Sequence, residues 1–462
     1  MGPASSPKDV LRQLFIEGVD ICRVNFSHGA YDEHLKVVNT IRELNAEMGL
    51  NVAILGDLQG PKLRVGEMEN NGVPMPEGHE FIFTDQKCVG NAQRVYMSYP
   101  NFAHDVNSDE YILLDDGKLK MQVISTDGKS EVKVRVINGG ILSSKKGVNL
   151  PDTKISLPSL TPKDIADAEF ALEHDFDWIA LSFVRSVNDI IDLRNIIRKS
   201  HKKAGIVAKI EKPEALLELN EIIDATNAVM VARGDLGVEV PFDKVPLIQK
   251  DIVKRCVNMG KPVIIATQMM ESMITNFSPT RAEATDVANA VIDGADALML
   301  SGETSVGKYP VQVIQSMQSI INNVEHSAVE YYKNNPPLEF TPTFFPDSVC
   351  NNAAQLAKNA NANAVVVFTN SGYTATRVSS HRPKAPIYAF TPNSSLLSRL
   401  SLLWGVRAFT ISSDLSFDEA VEYTISDLKK RGLLRDNEII VHVGSSPLKG
   451  KGQTNTLRLS YS

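Results

Sequence analysis

The sequence reads as an α/β protein: a (β/α)8 barrel with an inserted all-β module, followed by a separate C-terminal α/β domain. Three observations carry this reading. Seven short apolar runs alternate with amphipathic stretches between residue 8 and about residue 325. The helical periodicity disappears between Gly60 and Asp152. A stretch holding Pro336, Pro337, Pro342 and Pro346 then separates off a further set of apolar runs.

The seven runs are VDICRVNFS (Val19–Ser27), VAILGDL (Val52–Leu58), DWIALSFV (Asp177–Val184), GIVAKIE (Gly205–Glu211), AVMVARGD (Ala228–Asp235), PVIIATQM (Pro262–Met269) and ALMLSGE (Ala297–Glu303). They are dense in Val, Ile, Ala and Leu without strict alternation, the pattern of parallel strands buried on both faces. Helical spacing fills the intervals. Leu35, Val38, Ile41 and Leu44 recur on one face before Gly49, and Thr161, Pro162 and Asp164 form a capping signature. Nearly every run ends in polar groups: Asn25 and Ser27, Asp57, Ser182 and Arg185, Lys209 and Glu211, Asp235, Thr267 and Gln268, Ser301 and Glu303. A TIM barrel brings all strand C-termini to one mouth, whereas a doubly wound sheet gathers its ligand groups at one switch point. The distribution favours the barrel, although only seven runs are found for eight strands.

Residues 61–152 alternate apolar and polar positions, with tight-turn signals at Asp116-Gly117 and Asp127-Gly128, which reads as a β-barrel-like lid inserted at the mouth. The barrel then comprises 1–60 and 153–335, and a C-terminal regulatory domain spans 340–462. With 462 residues, 43% hydrophobic and 22% charged, the chain has ample material for several cores. Lys+Arg 48 against Asp+Glu 55 gives a net charge of −7, and no basic stripe argues for a nucleic-acid partner. No apolar run is long enough to span a membrane. Cys22, Cys88, Cys256 and Cys350 are widely separated, as expected for free thiols in the cytoplasm.

Lys209 and Glu211 share one face of a strand, because residues two apart point the same way. Asp235 adds a carboxylate at the end of the next strand. Two carboxylates beside a lysine suit a hydrated Mg2+. A structural ion pair is the other reading of that pairing, and the convergence of Arg23, Asp57 and Thr267 on the same mouth weighs against it. Gly234 and Asp235 lie in a glycine-flanked turn whose N–H groups suit a carboxylate. Arg23 and Arg64 are candidate phosphate clamps; His28 follows the first strand, and Lys146 by itself reads as a solvated cation. Thr369, Ser371, Gly372 and Thr374 stand at a strand-to-helix turn, a candidate anion site.

Taken together, RVNFSHG, LGDLQGPKLRVG, KKGVNLP, LSFVR, KIEKPEAL, VMVARGDLGVEV, ATQMMESM, PTRAEATDVANAV and LMLSGETSVGKYP resemble the pyruvate kinase family, in order and over essentially the whole chain. The resemblance implies transfer of a phosphoryl group from phosphoenolpyruvate to ADP in the cytoplasm, with Mg2+ or Mn2+, in a homotetramer, with a possible sugar-phosphate effector. By the same resemblance Lys209 contacts the phosphoryl group, Glu211 and Asp235 hold the metal, and Arg23 holds the phosphate. Arg64 and Lys146, with His28 nearby, approach the nucleotide. Gly234, Asp235 and Thr267 receive the substrate carboxylate, and Thr267 lies near the carbon that is protonated. Asn25, Ser27, Asp57 and the Leu58 carbonyl match a monovalent-cation pocket. Potassium-dependent members usually carry Glu where Lys62 stands, so the Lys62 ammonium is expected to replace the ion and K+ not to be required. The turn at Thr369, Ser371, Gly372 and Thr374 resembles the effector-phosphate loop, with Tyr373 where a basic residue often occurs. Family members also carry a strand before the segment matching Gly2-Pro3-Ala4-Ser5; Met1 stands there instead, which raises the expectation of an internal methionine in a longer chain rather than an open barrel. A non-catalytic scaffold would have no use for the polar mouth, and a metal-dependent barrel lyase none for Arg64, Lys146 and the lid.

Overall fold

The computed structural model describes residues 1–327, 330–333, 336–337, 341–448 and 454–462; the domain limits expected at residues 335 and 340 lie outside them. Seven parallel strands form one curled sheet in the order Ile21–Asn25, Ala53–Asp57, Trp178–Leu181, Gly205–Ile210, Ala228–Ala232, Val263–Ala266 and Ala297–Met299. Each apolar run of the sequence supplies one of them. The central strands are buried at every position, so alternation has no physical basis there. One set of side chains, including Leu55, Ala180, Val207, Met230 and Ile264, fills the interior of the curl. The other set packs against the surrounding helices, among them Tyr31–Met48 and Pro162–Glu173. The first of these ends at Gly49 with φ +63°, where a left-handed residue satisfies the last carbonyls.

The two outermost strands, Ile21–Asn25 and Ala297–Met299, do not pair with each other. A cavity of about 440 Å³ runs between them, lined by Cys22, Arg23, Ile264, Leu298 and Met299. An N-terminal turn crosses the upper end of this gap. The Met1 ammonium donates to the Arg23 carbonyl at 2.6 Å, and the Ala4 N–H donates to the Ser305 carbonyl at 2.9 Å. Burial lowers the Met1 ammonium to about 6.

The inserted module holds a six-stranded sheet and a two-stranded antiparallel sheet of Gly72–Met75 with Gly140–Ser143 around its own core of Phe81, Phe83, Tyr99, Phe102 and Met121. Strand Glu131–Asn138 alternates buried and open positions, as a one-faced sheet requires. Asp115, Asp116 and Gly117 all have positive φ, and Asp127 accepts the N–H groups of Lys129, Ser130 and Glu131, which sets the two expected turns.

In the C-terminal region strands Val406–Thr410, Ile387–Thr391, Ala364–Phe368 and Ile439–Gly444 run parallel. A fifth strand, Thr456–Tyr461, lies antiparallel at the edge; its largely open, mixed pattern carries no buried-strand signal. Arg382 anchors this sheet to the barrel, reaching the Gly294 carbonyl at 2.7 Å and Asp296 at 3.1 Å. Leu402 closes the barrel floor.

His381 and His442 are 1% and 0% exposed. Burial, reinforced by Arg377, pushes His381 down to about 4, and burial with Arg458 pushes His442 down to about 3. In the unfolded chain both protonate near pH 6.5. Between that value and their folded values the unfolded state binds more protons, so stability is complete above pH 6.5 and is lost as pH falls, by about 1.4 kcal/mol per unit for each group. Asp20 and Asp177, raised by burial to about 6, act in the opposite sense over the same window, so the histidine contribution is read as a difference: the melting temperature of the parent should fall relative to that of His442→Phe as pH drops from 6.5 to 4. Parallel profiles of parent and variant across that window contradict the burial of a neutral imidazole at His442.

Candidate active site

The strand C-termini meet at one mouth, where Lys209 occupies the centre. Its Nζ lies 3.0 Å from Asp57 Oδ1, 3.0 Å from Glu211 Oε1 and 2.7 Å from Ser182 Oγ. Burial opposes the ammonium charge, but Asp57 and Glu211 outweigh it and raise the Lys209 pKa. Asp57 is also gripped by Arg23, with Nε at 2.7 Å. Burial alone would raise the Asp57 carboxyl; Lys209 and Arg23 hold it below the usual range.

Glu211 accepts the Phe183 N–H at 2.7 Å through its second oxygen. Its pKa is raised by burial and by the nearby Asp235 charge. Mutual repulsion of this kind marks a place for a cation. Among the described residues no cluster of three or more His, Cys, Asp or Glu could hold a metal. The Glu211–Asp235 pair, two hard oxygen donors with Asp235 a third exposed, fits a Mg2+ that keeps water and substrate oxygens in its remaining positions.

Asp235 and Gly234 lie in helix Arg233–Glu239, directly after strand Ala228–Ala232. The Gly234 N–H donates to Thr267 Oγ1 at 2.8 Å, and Thr267 Oγ1 donates to the Ala266 carbonyl at 2.6 Å. Phe183, Thr267 and Gln268 have φ of +54°, +68° and +54°. Non-glycine residues in this region store strain and gather at functional sites.

Three of the expected cation-pocket groups have their oxygens engaged within the protein. Asn25 Oδ1 accepts the Ser27 N–H at 3.0 Å, Asp57 is paired as above, and the Leu58 carbonyl accepts Ser182 Oγ at 2.7 Å. Lys62 departs from its expected place. Its Nζ stands 3.8 Å from Asp235, while the partners of Asp57 are Arg23 and Lys209. The side chain thus approaches Asp235 rather than Asp57.

Arg64 and Lys146 both belong to the lid. Arg64 donates to the Lys145 carbonyl at 3.0 Å and lies in a bridge with Gly147, while Lys146 pairs with Asp115 at 2.8 Å. His28 is exposed after the first strand, its N–H donating to the Asn25 carbonyl at 3.3 Å.

The turn at the C-terminal sheet borders a second cavity. Thr369 Oγ1 accepts the Gly372 N–H at 2.9 Å; Thr374 Oγ1 meets Thr454 Oγ1 at 2.7 Å. Both threonines and Ser371 face a cavity of about 360 Å³ that Lys203 and Arg399 also line. Tyr373 instead bonds Asp347 through its hydroxyl.

Sequence reasoning did not single out Arg233, which reaches across to Thr267, or the buried pair Lys212–Glu239 at 2.7 Å. Glu239 also accepts Asn149 of the lid at 2.8 Å. A cation within an apolar run is the signal that could have found Arg233, which directly follows strand Ala228–Ala232, and that singled out Arg23, inside strand Ile21–Asn25.

Two family models match the chain: the pyruvate kinase barrel domain over residues 1–314, and the pyruvate kinase alpha/beta domain over residues 347–460. The chain is 39% identical to the pyruvate kinase of Geobacillus stearothermophilus, over 99% of this chain and 78% of that protein. It is 38% identical to that of Bacillus licheniformis and 37% to that of Staphylococcus aureus strain MRSA252, each over 99% of this chain and 79% of the relative.

Proposed function

The chain belongs to the pyruvate kinase family, and on that premise we propose that the Lys209 mouth is where it moves a phosphoryl group between phosphoenolpyruvate and ADP. The activity is that of a phosphotransferase, giving pyruvate and ATP in the last step of glycolysis; that role supports a cytoplasmic location. The observation that carries the site assignment is the buried ammonium of Lys209 between Asp57 and Glu211, with Asp235 beside Glu211.

With its pKa raised, Lys209 stays a charged donor and is no general base. It neutralises the phosphoryl group in transit, and Arg23 grips the phosphate oxygens with its planar fork. Asp57 holds both cations in place before substrate arrives. Glu211 and Asp235 would hold Mg2+, which supplies charge neutralisation at the phosphoryl and enolate oxygens. The Asp235 N–H, with the Gly234 N–H shared between Thr267 Oγ1 and the ligand, receives the substrate carboxylate, and the Thr267 hydroxyl stands at the carbon that takes a proton. Arg64, Lys146 and His28 attend the nucleotide, and closure of the lid keeps water from the phosphoryl group.

The second cavity, with the hydroxyls of Thr369, Ser371 and Thr374 beside cationic Lys203 and Arg399, supports a phosphorylated effector. Exposed Leu217, Phe242 and Leu247 supply apolar contacts for a homotetramer. Light scattering and phosphoenolpyruvate saturation, each with and without sugar phosphates, test both: a monomer sinks the tetramer, and no response to any phosphate sinks the effector.

Glu211→Gln and Asp235→Asn should each lower Mg2+-supported turnover by about 100-fold or more; the melting temperature should stay near that of the parent in Asp235→Asn, whose side chain is a third exposed, and fall in Glu211→Gln, which removes a buried partner of Lys209. Mn2+ binding, read by paramagnetic resonance, should weaken in parallel. Lys209→Met should cut ATP formation about 1,000-fold, and near-normal ATP formation by that variant removes Lys209 from the mechanism.

Potassium should not be required. Asn25 Oδ1, the Asp57 carboxylate and the Leu58 carbonyl of the pocket already have partners, and the Lys62 ammonium brings a further positive charge to the mouth. Turnover in tetramethylammonium salts should match that in potassium salts at equal ionic strength, and Lys62→Glu should restore a dependence on potassium. A parent enzyme silent without potassium refutes the reading.

A further inference from the structure

Helix Arg233–Glu239 opens with a side chain that the chemistry above does not use. Arg233 is 12% exposed, and its guanidinium spans the end of the neighbouring strand. Nη2 donates to the Thr267 carbonyl at 2.6 Å, and Nε reaches the Ala266 carbonyl at 3.4 Å. Nη1 bonds Asp286 at 2.8 Å, with Gln249 Oε1 at 3.4 Å. Asp286, on helix Arg281–Asp293, thus holds the guanidinium from behind while its front face grips two consecutive carbonyls.

Those carbonyls belong to an unusual piece of backbone. Thr267 and Gln268 both adopt left-handed conformations, with φ of +68° and +54°. Two such residues in succession, the first β-branched, persist only where their surroundings hold them. Arg233 supplies one hold through the Thr267 carbonyl. The adjacent Gly234 N–H supplies a second by donating to Thr267 Oγ1 at 2.8 Å. Returning Thr267 to an ordinary φ would swing its carbonyl out of reach of the guanidinium and its hydroxyl away from the mouth.

We propose that Arg233 is a positioning residue that fixes the Thr267 hydroxyl where the substrate carbon exchanges its proton. The inference rests on the assignment of Thr267 made above and adds the residue through which that hydroxyl is placed. An arginine is needed because a planar fork can serve two carbonyls and a carboxylate at once, whereas an ammonium is a point donor.

The test is exchange of the methyl protons of pyruvate with D2O, followed by proton NMR on the full-length chain with Mg2+ and ATP. In this step a C–H bond of the methyl group breaks, its proton passes to the solvent pool, and a deuteron forms the new C–D bond, with no change of oxidation state. Arg233→Met should slow exchange about 100-fold, the scale of loss for a reacting group displaced by an ångström. Thr267→Val should slow it comparably. The double variant should be within about threefold of Thr267→Val alone, because the two residues act as one unit. Arg233→Lys keeps the pairing with Asp286, and therefore the fold, yet should still exchange roughly tenfold slower than the parent; it decides the matter if Arg233→Met fails to fold. Exchange within threefold of the parent in Arg233→Lys and Arg233→Met, or a double variant showing the product of the two single losses, overturns the proposal while leaving Thr267 in place. Normal exchange in Thr267→Val overturns the assignment of Thr267 and this proposal with it.

Discussion

A buried ammonium cannot stand alone. Moving one charge out of water costs several kcal/mol unless a partner is already in place, and Lys209, on the fourth strand of the sheet, finds its two carboxylates on different segments of the chain. Asp57 comes from strand Ala53–Asp57, two strands away, and Ser182 follows the strand between. The register that aligns Asp57 with Ala180, and Leu181 with Ala208, is therefore the register that lets the ammonium be buried. Arg23 on the first strand completes the cluster by sharing Asp57. The result divides the mouth. One side offers two cations preset around a single carboxylate, suited to a phosphate. The other offers Glu211 and Asp235, whose repulsion shows in the raised pKa of Glu211 and suits a metal.

The loops above this cluster carry the strain. Phe183, Thr267 and Gln268 are all left-handed, and each lies just beyond a barrel strand. The Phe183 N–H is turned onto Glu211; the Thr267 carbonyl is turned onto Arg233. In both cases an unfavourable backbone geometry aims a polar group that a relaxed strand end would leave pointing along the sheet.

The lid and the C-terminal sheet have cores of their own, and much of their attachment to the barrel is polar. Such attachments let packed bodies shift relative to one another. Both hinge segments of the lid bear on one short helix, Arg233–Glu239: Lys62 faces Asp235 and Asn149 donates to Glu239. The inserted module is thereby tied to the helix that presents Asp235 to the mouth. On the opposite side, Arg382 and the Trp404 N–H both use Asp296, which stands directly before the seventh strand. The C-terminal region thus grips the barrel at its floor, away from the mouth.

The sequence by itself determined the run of strands, the all-β insertion and the types of group gathered at the mouth. Those features are local: buried parallel strands are apolar throughout, lid strands alternate, and a polar residue ending an apolar run in a barrel has one mouth to face. Lys209, Glu211, Asp57 and Arg23 were legible because each lies within or at the end of such a run. The edge strand Thr456–Tyr461 was not, since half-open antiparallel edges need no apolar pattern. Only the tertiary structure decided who pairs with whom. Lys62 stands close in sequence to Asp57, yet its ammonium lies 3.8 Å from the distant Asp235, while Asp57 is taken by Arg23 and Lys209. Arg233 reads in sequence as one cation in a glycine turn. Its partners at Thr267 and Asp286 lie 34 and 53 residues away, so the grip that sets the Thr267 backbone exists only once two strands and a helix have closed around it.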